Sequence, residues 1–254
     1  MYRNSVRKRR TVMKIITVGN LKGGTGKTTS TVNLAYSMSL LSRKVLVIDA
    51  DPQTNLTPFF TKANQNGYTV RHLIKNEAGI GRAIYRSKYK NIDIIKGDPN
   101  LKESDVSSDG TLAESLGKLG NRYDVCLIDT RPVFEQITQN ALYASELLIT
   151  PVLLDKFCRD NLLIVEDELH GLGMIAPEWK IFANKVENKR AQRNTYADMV
   201  EKHSWTFLET CISKGAVVEN ALELYKPVIK HRSSSQIAQD YIDLAQELLA
   251  VLEV

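Results

Sequence analysis

The sequence predicts an α/β protein: a mostly parallel, twisted sheet with helices on both faces. Two observations predict it. Short, continuously apolar runs recur along the chain with helical patterns between them, as expected of strands buried on both faces of a parallel sheet. The first run also leads through a glycine-rich turn straight into a long helical pattern. In order, Lys14-Ile15-Ile16-Thr17-Val18 is a β-branched strand that ends at Gly19, and a helix is expected from Lys27 to about Leu41. Further strands are expected at 44–48, 91–95, 123–128, 147–150 and 180–183, and a seventh around Thr210-Cys211-Ile212. Helical patterns lie between them, for example at 111–119, 140–144 and 155–169. The final helix is read from Ile237, Tyr241, Leu244, Ala245, Leu248 and Leu252, spaced by three and four. Its other face carries Asp240, Asp243 and Glu247, which suits packing on a sheet and not on an anionic membrane. Ligands of such sheets bind outside the carboxyl ends of the strands.

Composition narrows the class. The chain has 254 residues, 43% hydrophobic and 25% charged, which argues against disorder. Its apolar runs are far too short to cross a bilayer. The basic N-terminal run is followed by too few apolar residues for a secretory signal. Cys126, Cys158 and Cys211 are odd in number and widely spaced, so they form no disulfide framework or metal cluster and suit a reducing cytoplasm. The net charge of +5 is confined to residues 1–12, where Arg3, Arg7, Lys8, Arg9 and Arg10 face no acid. The remaining 29 basic residues equal the 29 acidic ones. The chain therefore divides into a basic tail, 1–12, expected to be disordered, and one folded domain, 13–254. The tail reads either as a nucleic-acid-binding arm or as a plain leader, and Met13 is an alternative start.

The turn after the first strand carries the chemistry. Lys22-Gly23-Gly24-Thr25-Gly26-Lys27-Thr28-Thr29 lies between a strand and a helix, the context of a phosphate-binding P-loop. The strict pattern fails at its first position, where Leu21 stands in place of glycine. The glycines let backbone N–H groups approach phosphate closely, and the following helix N-terminus adds free donors and a favourable dipole. Lys27 supplies a charge to the β- and γ-phosphates, and the Thr28 hydroxyl can ligate Mg²⁺. Two further strands end in acids: Asp49 and Asp51 after residues 45–48, and Asp129 after 123–128.

With Lys22 as a second lysine in the loop, Lys-Gly-Gly-Thr-Gly-Lys-Thr resembles the deviant Walker A motif of the ParA/MinD family of ATPases. The resemblance implies a P-loop NTPase fold that binds ATP or ADP with Mg²⁺ through residues 22–29. It gives Lys22 a role across a dimer interface, at the partner's nucleotide. It gives Asp51 the attacking water and Asp129 the Walker B role on Mg²⁺, through water. Asp49 is left as a strand-end cap. One departure follows Asp129: the family's small residue and two prolines are replaced by Thr130-Arg131-Pro132. Arg131 is free there to contact phosphate, a partner or solvent, so hydrolysis is less firmly implied than nucleotide binding.

The resemblance extends over residues 13–252. It implies an adenine contact for Asn184, at the end of the strand Ile181-Phe182-Ala183. The segment 210–221 resembles the ParA segment near the base and dimer edge, with Ser213, Val217 and Asn220 replacing the usual proline, arginine and glutamate. Basic residues in this half imply nonspecific DNA binding; Lys189, Arg190, Arg193, Lys214, Lys230 and Arg232 are the candidates. The small ParA (Soj-like) type fits best. It implies a cytoplasmic, nucleoid-associated homodimer, closed by ATP, whose hydrolysis is stimulated by a ParB-like adaptor and which does not bind membrane. The motif's position near the N-terminus leaves no room for the helix-turn-helix domain of larger ParA proteins. A MinD-like membrane switch lacks its basic C-terminal helix here, an iron-protein reductase its cluster cysteines, and a bacterial tyrosine kinase its terminal tyrosines. A positioning ATPase for a protein cargo, and a nucleotide-gated binding module with little turnover, remain as alternatives.

Overall fold

The computed structural model describes residues 12–62, 66–173 and 176–254. Within them, seven strands form a sheet: β1 (Lys14–Val18), β2 (Val45–Asp49), β3 (Ile84–Arg86), β4 (Ile92–Ile95), β5 (Val125–Asp129), β6 (Leu147–Val152) and β7 (Glu178–Ala183). Their order is β3-β4-β2-β5-β1-β6-β7, and every pair is parallel except β3 with β4. The helices are α1 (Lys27–Leu40), α2 (Thr57–Phe60), α3 (Val70–Ile74), α4 (Ile80–Ala83), α5 (Thr111–Gly117), α6 (Gln136–Tyr143), α7 (Lys156–Leu172), α8 (Arg190–Lys202), α9 (Val217–Glu223), α10 (Val228–His231) and α11 (Gln236–Val251). The expected basic tail falls outside the described residues, apart from Val12.

Alternation along the strands builds two cores. Ile16, Val18, Val45, Val47, Val125 and Leu127 point to one face, where Val32, Leu34 and Met38 of α1 and Ile237, Tyr241, Leu244 and Leu248 of α11 cover them. Ile15, Leu46, Ile48, Cys126 and Ile128 point to the other, under α3, α5 and α6. Successive side chains leave a strand on opposite faces, so a run with both faces covered must be apolar throughout. All five residues of β2 and of β5 are buried, including the terminal Asp49 and Asp129.

Six of the expected strands form, and the seventh lies elsewhere. Thr210-Cys211-Ile212 crosses the end of β7 instead of extending the sheet. The Ile212 N–H donates to the Ala183 carbonyl, and the Val186 N–H to that of Ile212, while Cys211 is exposed. The seventh strand is β3, a three-residue antiparallel edge. Such short edges leave little unpaired backbone for another chain to join.

The sheet brings the chemistry to one end. Val18 of β1, Asp129 of β5 and Asp49 of β2 are in register, so three neighbouring strands end together. The loop from Gly19 to Gly26 leaves β1 there and feeds α1, which is held from behind. The Asn33 side chain of α1 accepts a hydrogen bond from the Val228 N–H at 2.7 Å, and the Ser30 and Tyr241 hydroxyls meet at 3.4 Å.

Candidate nucleotide-binding site

Gly26 turns the loop into α1 with φ at +100°, in the left-handed region. A Cβ at this position would fall 2.3 Å from Asn184 Nδ2, so the site admits only glycine. Gly24 also has positive φ, at +73°. No side chain caps the N-terminus of α1. Its free N–H groups therefore face the loop with the positive end of the helix dipole behind them, a cradle for phosphate.

Lys27 begins α1 and is largely buried, its ammonium donating to the Lys22 carbonyl at 3.2 Å. Burial pushes its pKa below the ordinary lysine value, while the charges of Asp129 and Asp51 pull the other way. An anion entering the loop would offset that desolvation.

Asp129 is fully buried. The Thr28 hydroxyl donates to its Oδ2 at 2.6 Å and the Thr31 hydroxyl to its Oδ1 at 3.2 Å. Desolvation pushes its pKa up to about 8, against the Thr28 hydrogen bond, with repulsion from Asp49 adding to the rise. Asp49 is also pushed up by burial, to about 6. Its Oδ2 accepts both the N–H and the hydroxyl of Thr57, at 2.9 and 2.6 Å, while its Oδ1 has no partner. Asp49 therefore ties the segment after β2 to the sheet. Asp51 is half-exposed, and its Oδ1 accepts the Gln53 N–H at 2.9 Å. Asp129 and Asp51 thus act on the buried Lys27 ammonium, and Asp49 on Asp129, a cluster of acids that a divalent cation would hold ionised. Among the described residues no group of three or more His, Cys, Asp or Glu side chains could by itself hold a metal ion. Mg²⁺ keeps waters and substrate phosphates as ligands alongside few protein groups, and Thr28 and Asp129 are the residues here that could hold it.

Asn184 follows β7 and braces the loop. Its Nδ2 donates to the Thr25 carbonyl at 2.7 Å, and its Oδ1 accepts the Lys185 N–H at 2.9 Å. Lys185 reaches the Gly24 carbonyl at 3.1 Å. Beside Gly26 and Thr29 lies a cavity of about 180 Å³, lined by Asn184, Ser213, Glu219 and Tyr241 among others. The residues expected around a purine are thus gathered at the loop.

Lys22 points elsewhere. Its ammonium lies 3.2 Å from Asp155 Oδ1 and 5.5 Å from the centre of the exposed Phe157 ring. Asp155 caps α7 by accepting the Cys158 N–H at 2.7 Å. Neither Asp155 nor Thr31 was singled out from the sequence. Thr31 lies three residues after Thr28 on the same helix face, a spacing that could have shown it; Asp155 carries no such signal. Arg131 pairs with Glu103 and Glu135, so it is committed within the chain and not extended toward phosphate or solvent.

The DNA-binding candidates fall in two groups, one of Lys189, Arg190, Arg193 and Lys214 and one of Lys230 and Arg232. Lys189 and Lys214 both pair with Glu187, at 3.0 and 3.2 Å, and Arg193 bonds the Asn188 side chain. Arg190 at the start of α8, Lys230 in α10 and Arg232 just after it are exposed and have no ion-pair partner among the described residues. No described helix is long and apolar enough to cross a membrane.

A site that neutralises phosphate on one side and organises a hard cation on the other performs phosphoryl chemistry, and on this sheet it marks the protein as a P-loop ATPase. The chain belongs to the ParA/MinD family of these enzymes, close to the Soj-like partitioning proteins. A family model described as an AAA domain matches residues 13–166. The virulence plasmid ParA family protein pGP5-D of Chlamydia psittaci is 29% identical over 93% of this chain and 94% of its own. The sporulation initiation inhibitor protein Soj of Bacillus subtilis is 28% identical over 93% of this chain and 98% of its own. The septum site-determining protein MinD of Pyrococcus horikoshii, solved with Mg-ADP, superposes with a TM-score of 0.79 at 24% identity, over 95% of this chain and 99% of that one.

Proposed function

We propose that this ATPase partitions DNA. ATP closes two copies face to face, the dimer binds DNA without sequence preference, and a ParB-like adaptor stimulates hydrolysis and release. In this reading the protein works in the cytoplasm, on the nucleoid. The observation that carries it is Lys22, whose ammonium turns out of its own loop toward the surface. Its pair with Asp155 is about a third exposed on each side. Pairs of that kind contribute only about 0–1 kcal/mol. A partner's phosphates can therefore replace Asp155 at little cost, which lets the same lysine serve a second subunit.

Each residue then has a task that its surroundings allow. Lys27 and the free N–H groups of α1 hold the phosphates. Thr28 and Asp129 organise Mg²⁺, which when bound neutralises charge on the transferring phosphoryl group. Asp51, half-exposed at the end of β2, orients water. Asn184 contacts the base. Positioning and charge neutralisation supply most of such a reaction, so slow turnover needs nothing more.

The test is Lys22→Ala in light scattering with ATP and Mg²⁺. Nucleotide should still bind to the monomer, and the ATP-dependent dimer should disappear. Unchanged dimer formation would remove the cross-subunit role and, with it, the main support for this reading.

A further inference from the structure

A second cavity, of about 620 Å³, lies away from the nucleotide site. It is bounded by Tyr36 near the C-terminal end of α1, by Lys88, Tyr89 and Lys90 between β3 and β4, and by Lys226 and Lys230 around α10. The P-loop is at the opposite end of α1, 14 residues long, so the two sites are about 20 Å apart at 1.5 Å per residue. The volume falls in the range of small-molecule sites.

Its electrostatics are one-sided. Four lysines line it, and no carboxylate does. Among the described residues none of the four has an ion-pair partner, whereas Lys22, Lys75, Lys180, Lys189, Lys202 and Lys214 each have one. Lys88 is held in place: its ammonium donates to the Tyr225 carbonyl at 3.2 Å and lies 5.4 Å from the centre of the Tyr89 ring. Partial desolvation and the neighbouring Lys226 charge both push the Lys88 pKa down. A nearby anion would relieve that repulsion. The carbonyl end of α1 opposes an anion with only about half a negative charge, against four full positive charges.

The geometry points to a second phosphoryl-binding site, taking a phosphate-rich polyanion against Lys88, Lys90, Lys226 and Lys230. The tyrosines give it an apolar wall, and the flexible ammonium groups suit phosphate as point charges. The polyanion is either a soluble polyphosphate or the backbone of a nucleic acid, and the inference does not rest on the partitioning reading.

The test is calorimetric titration of the ADP-saturated protein with sodium tripolyphosphate, and in a second arm with a random-sequence DNA duplex. The wild type is compared with the double variant Lys88→Gln/Lys226→Gln and with Lys75→Gln. Losing two charged contacts should weaken binding at least about tenfold, the worth of one charge-assisted hydrogen bond. Lys75→Gln, at a lysine paired with Glu77 and outside both sites, should leave tripolyphosphate affinity unchanged, and ADP affinity should be equal in all three proteins. Loss confined to tripolyphosphate identifies a soluble ligand. Loss confined to duplex, or to duplex with tripolyphosphate competing for it, identifies the backbone. A wild type that binds tripolyphosphate here but not duplex would keep this site and assign it to a soluble ligand, leaving the partitioning reading to the ATP-bound form. Equal affinities of wild type and double variant for both probes would overturn the site.

Discussion

Asp129 shows how one buried acid couples the site to pH. An aspartate ordinarily titrates near 3.8, and burial pushes this one up to about 8. The fold therefore favours the uncharged acid. Its contribution to stability is complete below about pH 4 and is lost as pH rises through 8. A divalent cation reverses that preference, because it needs the carboxylate. Binding of Mg²⁺ with nucleotide at pH 7 should then release a proton. Calorimetry in two buffers of different ionisation enthalpy measures that release. It should be clear in the wild type and much reduced in Asp129→Asn, whose ADP–Mg²⁺ affinity should also be lower and less dependent on pH between 6 and 8. Equal proton release in the two proteins would take Asp129 out of the cation site.

At the scale of elements, the segment after β2 hangs on a single side chain. The Thr57 hydroxyl donates to Asp49 and accepts the Gly97 N–H at 3.0 Å, joining α2, the end of β2 and the loop after β4. Thr57→Val keeps the shape and leaves buried polar groups unsatisfied, at a cost of about 1–3 kcal/mol. Asp49, pushed up to about 6, is mostly ionised at pH 8 and mostly neutral at pH 5. The hydroxyl serves the ionised form, so the loss in urea midpoint should be greater at pH 8 than at pH 5. An equal loss at both would mean that packing, not the Asp49 bond, sets the cost. Elements of this kind were unevenly legible in the sequence. The six parallel strands could be read because each holds a run of apolar, largely buried residues, continuous in β2 and β5 and confined to the second half of β7, and the loop because glycine spacing and Lys27 are local. β3 could not: it is three residues long and exists only by pairing with β4 at an edge. The segment 210–212 has strand-like residues, but its bonds run across the end of β7. Tyr241 was read as a packing residue of α11, whereas its contact with Ser30, and the place of Asp155 beside Lys22, depend on long-range packing that no spacing records.

For the whole molecule, charge decides how DNA can be held. Beyond residue 12 the chain is neutral, with 29 basic and 29 acidic residues. Several of its candidate cations are also spent inside the protein, as Lys189 and Lys214 are on Glu187. Through those candidates a single copy therefore offers duplex DNA few uncommitted cations. In the proposed function two copies joined by ATP would present the remaining cations together, and bivalent attachment can raise apparent affinity by about 10²–10⁴ without new contacts. A random duplex should accordingly bind far more tightly with ATP–Mg²⁺ than with ADP in fluorescence anisotropy. Affinity should fall with salt by a log–log slope of roughly −0.9 for each phosphate neutralised. Arg190 has no ion-pair partner among the described residues. Arg190→Ala should thus make the slope shallower by about 0.9 for each copy in the dimer. Lys189→Ala should change it less, since that lysine must leave Glu187 before it can meet phosphate. The same titration on a chain starting at Met13 separates body from tail. Nucleotide-dependent binding that survives the truncation places the DNA surface in the folded domain. Binding that ignores nucleotide and disappears with residues 1–12 would make the basic tail a tether and leave the ATP-driven dimer to hold some cargo other than DNA.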